Sequence, residues 1–280
     1  MTTRPPTAPH PREVPVPLLN FRDPALTADS HRNRIRPGIL FRSAQPFPAA
    51  DQDTVRALLA RDIRTIVDLR GGAERSDADW AAAEEAGIRV RWAPLDATAE
   101  MATIDPRSLR TADDLGRFYL TLAESSPGAV ADAVTAVTAP GAALVHCAAG
   151  KDRTGLITAL LLDLAGVPAD GIADDYARTA EALPRIFSAL AGAAGLGALN
   201  AKDAAANTGS VTAHGGQEIP PALLEAPAGA IRAFMDGIRT RHGGTERFLH
   251  GCGVDPAAIA SFRSKAAPAR ESVPAAPSGL

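Results

Sequence analysis

Ten consecutive residues, His146-Cys147-Ala148-Ala149-Gly150-Lys151-Asp152-Arg153-Thr154-Gly155, place a thiol and a guanidinium six positions apart. The run before them, Ala142-Ala143-Leu144-Val145, is short and apolar as a buried strand should be, and Leu156 to Ala165 is apolar at helical length. The loop between opens a helix, where unpaired backbone N–H groups and the positive end of the helix dipole converge on an anion. A thiol in that setting beside an arginine is held as thiolate, and a thiolate attacks phosphorus far better than a thiol. Cys147 is therefore the candidate nucleophile. Arg153 can hold two phosphate oxygens through its planar fork as charge redistributes in the transition state, which a lysine cannot. Phosphocysteine formation would split hydrolysis into two steps, with the Thr154 hydroxyl stabilising the sulfur as it leaves in the second. The backbone of Ala148, Ala149, Gly150 and Lys151 would form the substrate cradle, and Gly150 and Gly155 permit its tight turn and close approach.

Two other readings of the window are weaker. An isolated cysteine at a strand end is usually a small inert hydrophobe, but here its neighbours supply an anion site. A nucleotide-binding loop needs Gly-x-x-x-x-Gly-Lys-Ser/Thr, yet Gly150-Lys151 precedes Asp152 and Val145 stands where the first glycine belongs.

His146 to Gly155 resembles the signature of the atypical tyrosine and lipid phosphatases of the mycobacterial protein tyrosine phosphatase B type, which the Lys-Asp pair separates from ordinary tyrosine phosphatases. Other blocks fall in that family's order: Asn20-Phe21-Arg22-Asp23, Gly38-Ile39-Leu40-Phe41-Arg42-Ser43-Ala44, Val67-Asp68-Leu69-Arg70 and Asp175-Tyr176-Ala177. The resemblance runs from about residue 18 to about residue 265. It implies a tyrosine-phosphatase-like fold with a helical lid, a catalytic role for Asp152, and action on phosphotyrosine, phosphoserine or phosphothreonine, and phosphoinositides. No cofactor is expected, since no His/Asp cluster in the sequence suggests a metal.

A leaving alkoxide or phenoxide needs a proton, and two aspartates can supply it. Asp152 lies in the loop itself and is preferred. Asp68, at the end of a neighbouring expected strand with Arg70 beside it, is the alternative, and these two are also candidates to line the substrate site. Either carboxylate can instead serve only to orient an arginine. Lys151 adds a second cation at the pocket rim, which favours multiply phosphorylated head groups, unless it merely pairs with Asp152. His146 precedes the nucleophile on a strand, so its side chain should turn away from the pocket and shape the loop by hydrogen bonding.

The chain of 280 residues, with net charge −3, is long enough for one sizeable α/β domain and carries no excess of positive charge to suggest nucleic acid. Cys147 and Cys252 are its only cysteines, which excludes a disulfide framework and points to a reducing, cytoplasmic setting; export without a signal peptide fits the same sequence. Residues 1–17 are proline-rich without an apolar run and read as a disordered arm, neither signal peptide nor membrane span. Residues 266–280, rich in Ala, Pro and Ser, read as a flexible tail. The domain is expected over 18–265.

Between the tails strand and helix alternate, which argues for a mostly parallel sheet flanked by helices. Strands are expected at Ile39–Phe41, Thr65–Leu69, Arg89–Trp92 and Ala142–His146. Helices are expected at Asp51–Arg61, Trp80–Ala86, Ala112–Glu124, Gly128–Thr138, Ala169–Arg178, Ala228–Arg241, Thr245–His250 and Pro256–Ser264. The ligand crevice of such a sheet lies at the carboxyl ends of its strands, where Cys147 and Asp68 both fall. Residues 180–225 are expected to form a partly mobile lid or insertion, with Leu183, Ile186, Phe187 and Leu190 on one helical face before a glycine-rich stretch. Three functional classes remain: a metal-independent phosphate-monoester hydrolase, a catalytically weak phosphate-binding module, and an arsenate reductase on a similar cysteine loop. The last would need Cys252 as a second redox thiol.

Overall fold

The structure, a computed structural model, describes residues 15–27, 34–96, 101, 104–193 and 221–268. Four strands, β1 (Leu40–Ser43), β2 (Ile63–Asp68), β3 (Arg89–Trp92) and β4 (Ala142–His146), form one sheet in the order β1-β4-β2-β3. Every pairing is parallel. β4 lies between two strands and under helices on both faces, which is why Ala142-Ala143-Leu144-Val145-His146 is buried throughout and reads as a continuous apolar run.

Side chains alternate across the sheet, and the alternation sorts the core into two layers. Phe41, Ile66, Ala142 and Leu144 pack under α1 (Gln52–Leu59) and α2 (Ala81–Glu85) through Val55, Leu58, Trp80 and Ala83. Leu40, Val67, Ala143 and Val145 face the larger layer of α3 (Ala112–Ser125), α4 (Pro127–Val137), α5 (Asp152–Leu164) and α6 (Ala169–Ala177). Farther out come α7 (Leu183–Ala193), α8 (Pro221–Leu224), α9 (Ala228–His242), α10 (Thr245–Gly251) and α11 (Pro256–Ala266). α5 is buried around almost its whole circumference, from Arg153 to Leu162, because it is covered by the sheet on one side and other helices on the rest.

The expected elements are all present, with ends that move by a few residues. β1 runs on to Ser43, where it meets His146 in register, and β2 begins at Ile63. α1 starts after Asp51, whose carboxylate accepts the Thr54 amide at 2.7 Å, a cap of the expected kind. The apolar face of the 183–193 helix is buried: Leu183, Ile186 and Phe187 pack with Ala44 and with Ala149 of the cysteine loop. The glycine-rich part of the expected lid, and most of both expected tails, lie outside the described residues. Among the described residues no helix is long and apolar enough to cross a membrane.

Candidate active site

The loop from Cys147 to Lys151 joins the carboxyl end of β4 to the first turn of α5, and Cys147 is 2% exposed. Its carbonyls are taken up by the scaffold. Ala148 O accepts from the Gln45 amide at 3.1 Å. Gly150 O accepts from Arg42 Nη2 at 2.7 Å and from Asn20 Nδ2 at 3.0 Å. The amide N–H groups of Ala148 to Lys151 donate no hydrogen bond to any described residue. With the first-turn amides of α5 they form a cluster of donors at a helix N-terminus, which is the electrostatic requirement for holding a phosphate. Gly150 makes the turn at φ +66°, and a β-carbon there would lie 2.2 Å from Ser43 O, so only glycine lets the loop lie against β1.

Behind the loop stands a buried ion cluster. Arg42, fully buried, donates from Nη1 to Asp175 Oδ2 at 2.5 Å, and Arg22 Nε donates to Asp175 Oδ1 at 2.8 Å. Burial pushes the Asp175 carboxyl up, but the two guanidiniums outweigh it and hold the group below the usual carboxylate range. Burial and the neighbouring charge of Arg42 lower Arg22 to about 10. Residues more than a hundred positions apart thus clamp one loop carbonyl.

Arg153 makes a two-pronged ion pair with Glu74, at 2.5 and 2.6 Å. Burial opposes the charge on Glu74, but the hydrogen bonds and charge of Arg153 more than offset it and hold the carboxyl below its ordinary range. The same pair, against burial, raises Arg153 further above the guanidinium range. Glu74 is a site residue that sequence reasoning missed; the only hint was the Gly71-Gly72 turn after a strand end. Asp96, just after β3, feels the charges of both Arg153 and Glu74, and burial raises its carboxyl.

Asp68 and Arg70, each 1% exposed, lie beneath that turn. Asp68 binds Arg70 Nη2 at 2.7 Å, Arg70 also binds Asp79 at 2.8 Å, and Arg70 Nη1 donates to the Glu74 carbonyl at 3.1 Å. Burial pushes Asp68 up, yet the hydrogen bonds and charge of Arg70 bring it below the usual range. The pair therefore supports the turn that carries Glu74. His146 turns to the α1 and α2 side, where Nε2 accepts from the Trp80 indole at 3.0 Å and Nδ1 lies 3.3 Å from Cys147 O. Burial lowers the imidazole, so it is neutral with its proton on Nδ1.

Asp152 opens α5, one-third exposed, with Oδ1 accepting from the Tyr119 hydroxyl. Lys151 is not at a rim. It is 2% exposed, and its ammonium donates to Leu223 O of α8 at 2.7 Å and lies 3.5 Å from Asp152 Oδ1. A carbonyl and a carboxylate replace the water that normally keeps a lysine outside. The Thr154 hydroxyl is fully buried and has no partner among the described residues. Gly155 lies against Tyr176, where a β-carbon would meet the ring at 2.9 Å.

The loop therefore combines a buried thiol, backbone amides that donate to no described residue, and a guanidinium held by Glu74, at the carboxyl end of a parallel strand. The tyrosine phosphatase family model matches residues 16–267, and the chain belongs to that family. It is 31% identical over 243 residues to a putative tyrosine-protein phosphatase of Cupriavidus necator, covering 83% of this chain and 80% of the relative. A tyrosine-protein phosphatase of Nostoc commune is 30% identical over 219 residues, 76% of this chain and 68% of its own. The triple specificity protein phosphatase PtpB of Mycobacterium tuberculosis is 30% identical over 202 residues, 62% of this chain and 71% of its own.

Proposed function

We propose that the chain hydrolyses phosphate monoesters through a phosphocysteine intermediate, acting on phosphotyrosine and also on phosphoserine, phosphothreonine and phosphoinositides. One observation carries this: carbonyls of the Cys147–Lys151 loop are bound by the scaffold, while the amides of Ala148 to Lys151 donate to no described residue. In the first step the Cys147 sulfur attacks phosphorus, the ester P–O bond breaks, and the leaving oxygen takes the Asp152 proton. Arg153 holds the phosphoryl oxygens as charge shifts among them. In the second step water attacks phosphorus, its proton passes to the Asp152 carboxylate, and the S–P bond breaks to give phosphate and thiolate, which Thr154 stabilises.

Asp152 is favoured as proton donor over Asp68, which is ionised and fully engaged with Arg70. Substrate breadth rests on a relative whose name states triple specificity; Lys151, buried against Leu223 O and Asp152, does not add to it. The arsenate reading loses support because burial pushes the Cys252 thiol up to about 11, poor for thiolate exchange. The requirement for a reduced thiol favours a cytoplasmic setting.

Wild type and Cys147→Ser are compared on a phosphotyrosine peptide, a phosphothreonine peptide and phosphoinositide vesicles, all with chelator present. The expected result is turnover of all three by wild type, none by the variant, and a phosphoprotein trapped by acid quench of wild type only. Full turnover by Cys147→Ser, or loss of wild-type turnover on chelation, refutes the mechanism; turnover of phosphotyrosine alone refutes the breadth.

A further inference from the structure

Two buried tyrosines stand behind Asp152. Tyr119 of α3 is 0% exposed and Tyr176 of α6 is 1% exposed, and their hydroxyls lie 2.7 Å apart. The rings meet edge to face, with centroids 6.2 Å apart. Each hydroxyl carries a single proton. Tyr119 donates its proton to Asp152 Oδ1, so Tyr176 must donate to the Tyr119 oxygen. The order of the chain is Tyr176 to Tyr119 to Asp152. Burial and the adjacent carboxylate push both phenols well above their ordinary range, so both remain donors.

This fixes one oxygen of Asp152 and leaves the other. Oδ1 faces the Tyr119 proton and has the Lys151 ammonium 3.5 Å away; Oδ2 has no hydrogen-bond partner among the described residues. A proton carried by Asp152 therefore sits on Oδ2. α3, which carries Tyr119, is packed closely against α9: a β-carbon at Gly116 would fall 2.5 Å from that of Ala233.

We propose that Tyr119, backed by Tyr176, is a positioning residue for proton delivery: it occupies one oxygen of Asp152 so that the acid proton is presented on the other, toward the leaving group. The inference rests on the phosphatase reading above and adds the device that aims its acid. It is selective for the step that needs a proton. Esters whose alkoxide or phenoxide is a poor leaving group depend on it, and esters of acidic phenols do not.

The test measures kcat/KM, which reports the first chemical step, for phenyl phosphate and p-nitrophenyl phosphate. Wild type, Tyr119→Phe, Tyr176→Phe, Asp152→Asn and Tyr119→Phe/Asp152→Asn are compared. Tyr119→Phe should lose about tenfold on phenyl phosphate, a part of the 10²–10⁴ that a positioned acid supplies, and no more than about twofold on p-nitrophenyl phosphate. Tyr176→Phe should show the same selectivity at smaller size. The double variant should fall no further than Asp152→Asn alone, because Tyr119 acts only through that carboxyl. Equal loss on both substrates, no loss on either, or additive losses in the double variant overturn the proposal. Inactivity of wild type on both substrates instead overturns the phosphatase reading.

Discussion

Gly150→Ala and Gly38→Ala form a pair that separates backbone strain from loss of the anion cradle. Both glycines have positive φ, +66° and +79°, so either alanine costs about 1–2 kcal/mol for a left-handed conformation. At Gly38 the new methyl meets nothing within 4 Å. At Gly150 it would lie 2.2 Å from Ser43 O and 2.7 Å from Ala44 N, backbone atoms at the end of β1 that cannot rotate away. Relief requires the loop to move by roughly 1 Å, a displacement that can cost 10²-fold in rate when it misplaces a reacting group. Urea unfolding should show Gly38→Ala less stable by about 1–2 kcal/mol with turnover retained. Gly150→Ala should lose at least about 10² in kcat/KM on p-nitrophenyl phosphate and most of its vanadate sensitivity. A Gly150→Ala enzyme with kcat/KM within a few-fold of Gly38→Ala would refute the claim that this contact shapes the cradle.

Asp175→Asn should be destabilised by about 3–5 kcal/mol in denaturant titration, because Arg22 and Arg42 are left buried around a neutral amide. His146 should remain neutral in long-range proton–nitrogen spectra as pH falls through about 6.5, where an ordinary histidine is half protonated. The unfolded chain takes up that proton and the folded chain does not, so this residue's contribution to stability is lost on acidification. Trp80→Phe, which frees Nε2 facing Asp68 at 3.6 Å, should bring the titration back toward the ordinary range.

The strand, loop and helix around Cys147 were readable because they are contiguous and their periods change at the loop itself. The orientation of His146 followed from strand alternation, since it shares a face with Ala142 and Leu144. The partners of the loop were not readable. Glu74 reaches Arg153, Tyr119 reaches Asp152 and Leu223 reaches Lys151 only through chain crossings, and no spacing rule links them. Lys151 shows the physical reason most plainly: an ammonium is expected in water unless an oxygen of the protein replaces it, and that oxygen belongs to a backbone carbonyl in a distant segment. Arg22, Arg42 and Asp175 stood within recognisable blocks, but their joint charge pairing appears only in three dimensions.

The clamp on Gly150 also bears on how the molecule comes into being. During synthesis Cys147 and Arg153 leave the ribosome before Asp175 does, so the newly made signature lacks the carboxylate that braces Arg42. A fragment ending short of that aspartate would contain every residue of the ten-residue motif and still have no rigid seat for its oxyanion. Catalytic competence is therefore a property of long-range closure, acquired late, and not of the motif by itself.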